Sequence, residues 1–155
     1  MDLYKIVHFN RESGGVAFPW FNAFDEGDAR LIRVEFGMKI GTPDRHPDDA
    51  EIYQTLASVW NRVPDTNAND ADFRLSRILH TYGITPLNEV YLDWAEDEDR
   101  FGATLDEMRF DELDKQFGLI WYPDLDDLLL FDDNYDWACE INLQGLVNIA
   151  TIKSK

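Results

Sequence analysis

Three short apolar runs near the end of the chain constrain its fold more than any other feature. Asp127-Leu-Leu-Leu-Phe131, Trp137-Ala-Cys-Glu-Ile-Asn-Leu143 and Leu146-Val-Asn-Ile-Ala-Thr-Ile152 follow one another with only short polar turns between them. In the middle run Trp137, Cys139, Ile141 and Leu143 fall on one face, and Ala138, Glu140 and Asn142 on the other. That period of two is the pattern of a half-buried strand. Asp132 to Asp136 reads as a polar turn, and Gln144-Gly145 can supply the positive φ of a tight hairpin. Gly118-Leu-Ile-Trp-Tyr-Pro123 leads in as a further extended segment. The prediction is a C-terminal meander of three antiparallel strands.

The rest of the chain is read around that meander. Residues 2–9 alternate loosely and predict a first strand, and Val16 to Phe24, dense in aromatics and broken by Pro19, a loop. Ile32, Val34 and Phe36 alternate with Arg33 and Glu35, which predicts a strand over Ala29 to Phe36. A helix is expected from about Asp48, with Ile52, Leu56, Val59 and Trp60 as its apolar stripe. A second helix, capped by Asn69 or Asp70, carries Phe73, Ile78, Leu79 and Tyr82 and ends at Gly83. Leu87 to Trp94 reads as a strand, and Thr104 or Asp106 as the start of a third helix closed by Gly118. Together these predict a single α+β domain over residues 1–155. Its sheet is largely antiparallel, ends in the three-strand meander, and carries about three helices packed on one face.

Composition bears on function mainly through charge. With 45% hydrophobic and 14% aromatic residues the chain has enough core material to fold despite a net charge of −17. The charge is segregated: residues 89–140 hold 18 Asp/Glu against 3 Lys/Arg, and the other 103 residues hold 13 against 11. A field of one sign steers a basic partner toward it, and it disfavours direct contact with nucleic-acid phosphates. The single Cys139, on the apolar face of a strand, reads as a buried reduced thiol. No signal peptide and no transmembrane run is visible, which implies a soluble cytoplasmic protein that does not engage membranes. Nothing in the sequence specifies an oligomeric state.

Motifs for chemistry are missing. Asp132, Asn134 and Asp136 have the opening spacing of a calcium loop, but Trp137 and Leu143 stand where such a loop needs glycine and a bidentate glutamate. His8, His46 and His80 are scattered, so no metal site and no cofactor are expected. No nucleophile elbow, phosphate-cradling glycine loop or dinucleotide fingerprint occurs. Arg74 and Arg77 could hold a phosphate, but a solvated helix face or pairing with the acidic third is the favoured reading.

What stands out is an acidic cluster interleaved with aromatics. Asp93, Glu96, Asp97, Glu98, Asp99, Asp124, Asp126, Asp127, Asp132 and Asp133 surround Trp94, Trp121 and Tyr122. Aromatic anchors within a carboxylate rim suit a basic protein surface. The competing reading makes the aromatics core and the acids a solvated skin. Ile120-Trp-Tyr-Pro123, Leu130-Phe-Asp-Asp133 and Asp136-Trp137, followed by a hairpin, resemble the C-terminal end of small acidic bacterial proteins of the toxin-immunity type. The resemblance implies a non-enzymatic inhibitor that occludes a basic toxin or effector. The alternatives are a DNA mimic that blocks a nucleic-acid-binding protein, an enzyme with a non-standard carboxylate site, and a structural or regulatory subunit marked by an apolar patch.

Overall fold

The computed structural model describes residues 1, 3–42, 49–96, 99–121 and 127–152. In chain order its elements are α1 (Leu3–Glu12), β1 (Phe21–Ala23), α2 (Glu26–Ile40), α3 (Asp49–Ala57), β2 (Asn61–Arg62), α4 (Leu75–Thr81), β3 (Glu89–Glu96) and β4 (Asp99–Arg109). There follow α5 (Phe110–Lys115), α6 (Phe117–Trp121), β5 (Leu128–Phe131), β6 (Trp137–Ile141) and β7 (Val147–Thr151). All seven strands join one antiparallel sheet in the order β1-β4-β3-β5-β6-β7-β2. The α+β class and the C-terminal meander β5-β6-β7 are as expected. The hairpin between β6 and β7 turns on Gly145 at φ 85°.

The helices cover both faces of the sheet, not one. Successive strand residues point to opposite sides. Leu128, Leu130, Cys139, Ile141 and Ile149 belong to a core shared with α1, α4, α5 and α6. Leu129, Phe131 and Ala138 belong to a second core shared with α2 and α3. Every residue of β5 and β6 is therefore buried, and the wet face expected for the middle strand does not exist. Glu140 on that face is buried too, and accepts a hydrogen bond from Asn148 Nδ2 at 3.2 Å.

Four segments fold otherwise than the local pattern predicts. The first, residues 3–12, is helical: Lys5, His8 and Phe9 are buried at helical spacing, while Leu3 and Val7 face outward. The second, read as a strand through Phe36, lies in α2, whose ends decide the matter. Asp25 caps it by accepting from the Asp28 N–H at 2.8 Å, and Gly41 closes it at φ 88°. The third is β4, read as a helix from residue 104 or 106. Its Leu105 and Met108 enter different cores because they point to opposite sides of a strand. The fourth, Phe117–Trp121, is α6 and not extended. The second expected helix begins at Leu75 instead of near Asp70, and Gly83 follows it at φ 77°.

Candidate partner-binding surface

The acidic and aromatic residues singled out in the sequence do not form one exposed cluster. Asp93 points from β3 toward α2 at 1% exposure, and both its oxygens accept from Arg33, Nε at 3.0 Å and Nη2 at 2.9 Å. Trp94, the next residue, points into the opposite core and donates from Nε1 to Asp106 Oδ2 at 2.9 Å. Trp121 is 1% exposed, stacked with Phe117, and its carbonyl accepts from the Lys5 ammonium at 2.9 Å. Asp93 and Trp94 are interior residues because a strand flanked by helices on both sides has no free face to display them, and Trp121, at the end of α6, packs into the same core as Trp94. Asp127 accepts from the Leu143 N–H at 2.8 Å and so fixes the turn between β6 and β7. Glu96 and Asp99 pair across β3 and β4. Asp97, Glu98, Tyr122, Asp124 and Asp126 lie outside the described residues.

Asp132 and Asp133, by contrast, belong to a surface that the sequence reading did not assemble. Tyr91 stands directly across from Glu107 on β4 and from Phe131 on β5. Phe131 stacks on Phe36 of α2 with ring centroids 4.2 Å apart. One turn of α2 carries Glu35 outward, and Tyr135, in the turn after β5, donates its hydroxyl to Glu35 Oε2 at 2.9 Å. Tyr135 adopts φ 55°, a conformation that turns its ring back over Phe36 and Phe131. The result is a floor of two half-buried tyrosines rimmed by Glu35, Glu89, Glu107 and Asp133.

The electrostatics of this surface are one-sided. Burial raises the pKa of Tyr91, and Glu107, Asp133, Glu35 and Asp132 raise it further. Burial, then the hydrogen bond and charge of Glu35, push the Tyr135 hydroxyl well above its ordinary range. Glu107 is raised by burial and by Glu89 and Asp133. Asp132 is raised mainly by burial, against hydrogen bonds from Trp137 and Asn134 that favour its charged form. Among the described residues no cation pairs with Glu35, Glu107 or Asp133. Glu89 lies across from Arg109, but that guanidinium already donates to both oxygens of Asp111.

Sequence reasoning missed Glu35, Glu89, Tyr91, Glu107 and Tyr135 as a group. The cap at Asp25 was the available signal for α2 and hence for an outward Glu35. Nothing local announces that Glu107 faces Tyr91, since that follows from the pairing of β3 with β4.

Other chemistry finds no gathering point among the described residues. No group of three or more His, Cys, Asp or Glu is placed to hold a metal ion. Asp132 Oδ1 accepts from the Asn134 N–H at 3.2 Å, as a polar turn requires. Cys139 is fully buried, and burial raises its thiol pKa far above the ordinary value. No described helix is long and apolar enough to cross a membrane. Set beside known proteins, the chain matches no family model, no curated protein and no solved structure, so the meaning of this surface rests on its own residues.

Proposed function

We propose that this protein is a non-enzymatic binding protein that takes a basic protein partner on the surface around Tyr91 and Tyr135, in the manner of an immunity-type inhibitor occluding a toxin or effector. The observation that carries the reading is the uncompensated rim: Glu35, Glu107 and Asp133 bear on two tyrosines with no cation among the described residues to balance them. Carboxylates held close together without counter-charge keep a standing electrostatic cost, and a partner's lysines and arginines relieve it. Tyrosine is the side chain best suited to the floor of such an interface, since it offers rigid apolar area and a polar tip. Exposed Leu31 and Met38 on α2 continue the apolar part of the surface beside Glu35. Acids gathered at one corner, instead of spaced in a double row, favour a protein partner over mimicry of DNA.

The test is co-purification with two charge-reversed variants. One carries Glu35→Lys, Glu107→Lys and Asp133→Lys. The other carries the same reversals at Glu12, Asp70 and Asp72, exposed acids elsewhere on the molecule. The expected result is a basic protein retained by the unaltered chain and by the second variant and lost from the first, with association slowing as salt is added. Equal loss from both variants would mean that bulk charge alone recruits the partner, and the surface assignment would fall.

A further inference from the structure

On the opposite side of the sheet lies a cleft of about 480 Å³ between the loop before α4 and the helices α5 and α6. That volume is in the range of small-molecule sites. Asp70, Phe73 and Arg74 line one wall, and Asp114, Lys115 and Phe117 the other. The walls are held in place. The loop hangs on the hairpin between β6 and β7, with the Ala68 N–H donating to the Gly145 carbonyl at 2.8 Å and Asn67 Nδ2 to the Gln144 carbonyl at 3.0 Å. Asp114 Oδ1 accepts from the Ser76 N–H at 2.9 Å and ties α5 to α4. Phe73 and Phe117 meet across the cleft with ring centroids 5.5 Å apart.

The charges in this cleft run against the character of the molecule. In a chain with 31 acids and 14 bases positive charge is scarce, and two of the bases open onto this one cleft. Of the exposed bases, Arg109 and Arg11 are taken up by Asp111 and Glu12. Arg74 and Lys115 both open onto the cleft, and neither side chain makes an ion pair or hydrogen bond among the described residues. One of the two acids beside them, Asp114, is already turned to a backbone N–H.

We infer that this cleft is a binding site for a small metabolite bearing an oxyanion group, carboxylate or phosphate, held by Arg74 and Lys115. Arginine offers a planar two-pronged donor and lysine a mobile point charge, a combination suited to either oxyanion. Phe73 and Phe117 give the less polar part of the ligand a surface to lie on. Asp70 sets a limit, since it repels any anion that approaches its side of the cleft.

The site is separable from the acidic surface because the two lie on opposite faces of the sheet. Amide shifts of the ¹⁵N-labelled full chain are followed during titration with inorganic phosphate, and separately with citrate, at constant ionic strength. The expected result is saturable movement confined to residues 70–76 and 114–118 with at least one of the two. Response to phosphate alone marks a phosphate ligand, and to citrate alone a carboxylate. Arg74→Ala and Lys115→Ala should each weaken binding about tenfold, the scale of one charge-assisted hydrogen bond. Lys39→Ala, which removes a positive charge from α2 on the other face, should leave it unchanged, and Asp70→Asn should tighten it. Shifts that never saturate, that spread over the whole surface, or that survive both alanine substitutions would overturn the assignment. The same spectra show whether each variant is folded.

Discussion

Gly145 shows how one residue can set both a turn and a neighbouring loop. At φ 85° it occupies left-handed space, which costs a residue with a Cβ about 1–2 kcal/mol. A Cβ here would also collide with the side chain of Asn67, whose amide oxygen accepts from the Asn69 N–H at 2.8 Å. Gly145→Ala is therefore expected to lower stability by about 2–3 kcal/mol, the backbone penalty plus the displacement of Asn67. Urea denaturation followed by circular dichroism measures it. Gly83, also at positive φ but with open space around its Cβ position, is the comparison: Gly83→Ala should lose the backbone penalty alone. Equal losses at the two glycines would show that Asn67 moves aside freely. The sequence pointed to Gly145 as a turn residue, but the packing of a loop some 75 residues earlier against it is a long-range fact. No local pattern encodes it.

Between elements, the contact that fastens α2 to the sheet is the pair Arg33–Asp93. A buried ion pair adds little net stability, because the loss of hydration offsets most of the attraction, but breaking one strands a charge in the core. Arg33→Ala should cost about 3–5 kcal/mol, whereas Arg33→Met with Asp93→Leu together should recover most of that loss. Chemical denaturation of the single and double variants distinguishes the outcomes. If the double variant were as unstable as the single, the pair would contribute attraction beyond its own desolvation. This contact also explains which elements were legible. In β5, β6 and β7 the apolar pattern, the turn residues and the tertiary pairing agree, so the meander reads directly from sequence. In α2 they conflict: Ile32, Val34 and Phe36 alternate as in a strand, yet the caps Asp25 and Gly41 and the buried spacing of Ala29, Arg33 and Phe36 are helical. In β4 the three-residue step from Leu105 to Met108 imitates a helix, and only pairing with β1 and β3 resolves it. Of the predicted site residues, Asp133 stays exposed on the acidic surface and Asp132 is half-buried beside it. Asp93, Trp94 and Trp121 serve the core and Asp127 a turn, because burial on both faces of a central sheet cannot be seen in a window of seven residues.

The whole molecule makes a statement about pH that its composition alone would not give. Asp106 sits fully buried, bonded to the Met1 ammonium at 2.7 Å and to Trp94, yet desolvation outweighs both partners and raises its pKa. Glu107 and Asp132 are raised as well, burial being the first cause in each. Asp111 is lowered by Arg109, but that pair is exposed and screened, and it contributes little to stability. A carboxyl whose folded pKa lies above its unfolded one binds its proton more tightly in the native state. Protons are then taken up on folding, so stability falls as pH rises through the folded values and is recovered as pH drops back through them. The window opens above the ordinary carboxylate range and closes once the unfolded chain protonates too, at about pH 4. Relief of repulsion within a chain of net charge −17 acts in the same direction. The urea midpoint is therefore expected to rise as pH falls from 7 toward about 4, with an unchanged slope, opposite to the behaviour of a domain held by surface salt bridges. Glu107→Gln, which removes one of the raised groups from the repelling rim, should raise the midpoint at pH 7 and flatten its pH dependence. A midpoint that falls on mild acidification would mean that carboxylates with lowered pKa values dominate the fold, and that the rim around Tyr91 and Tyr135 is compensated in solution.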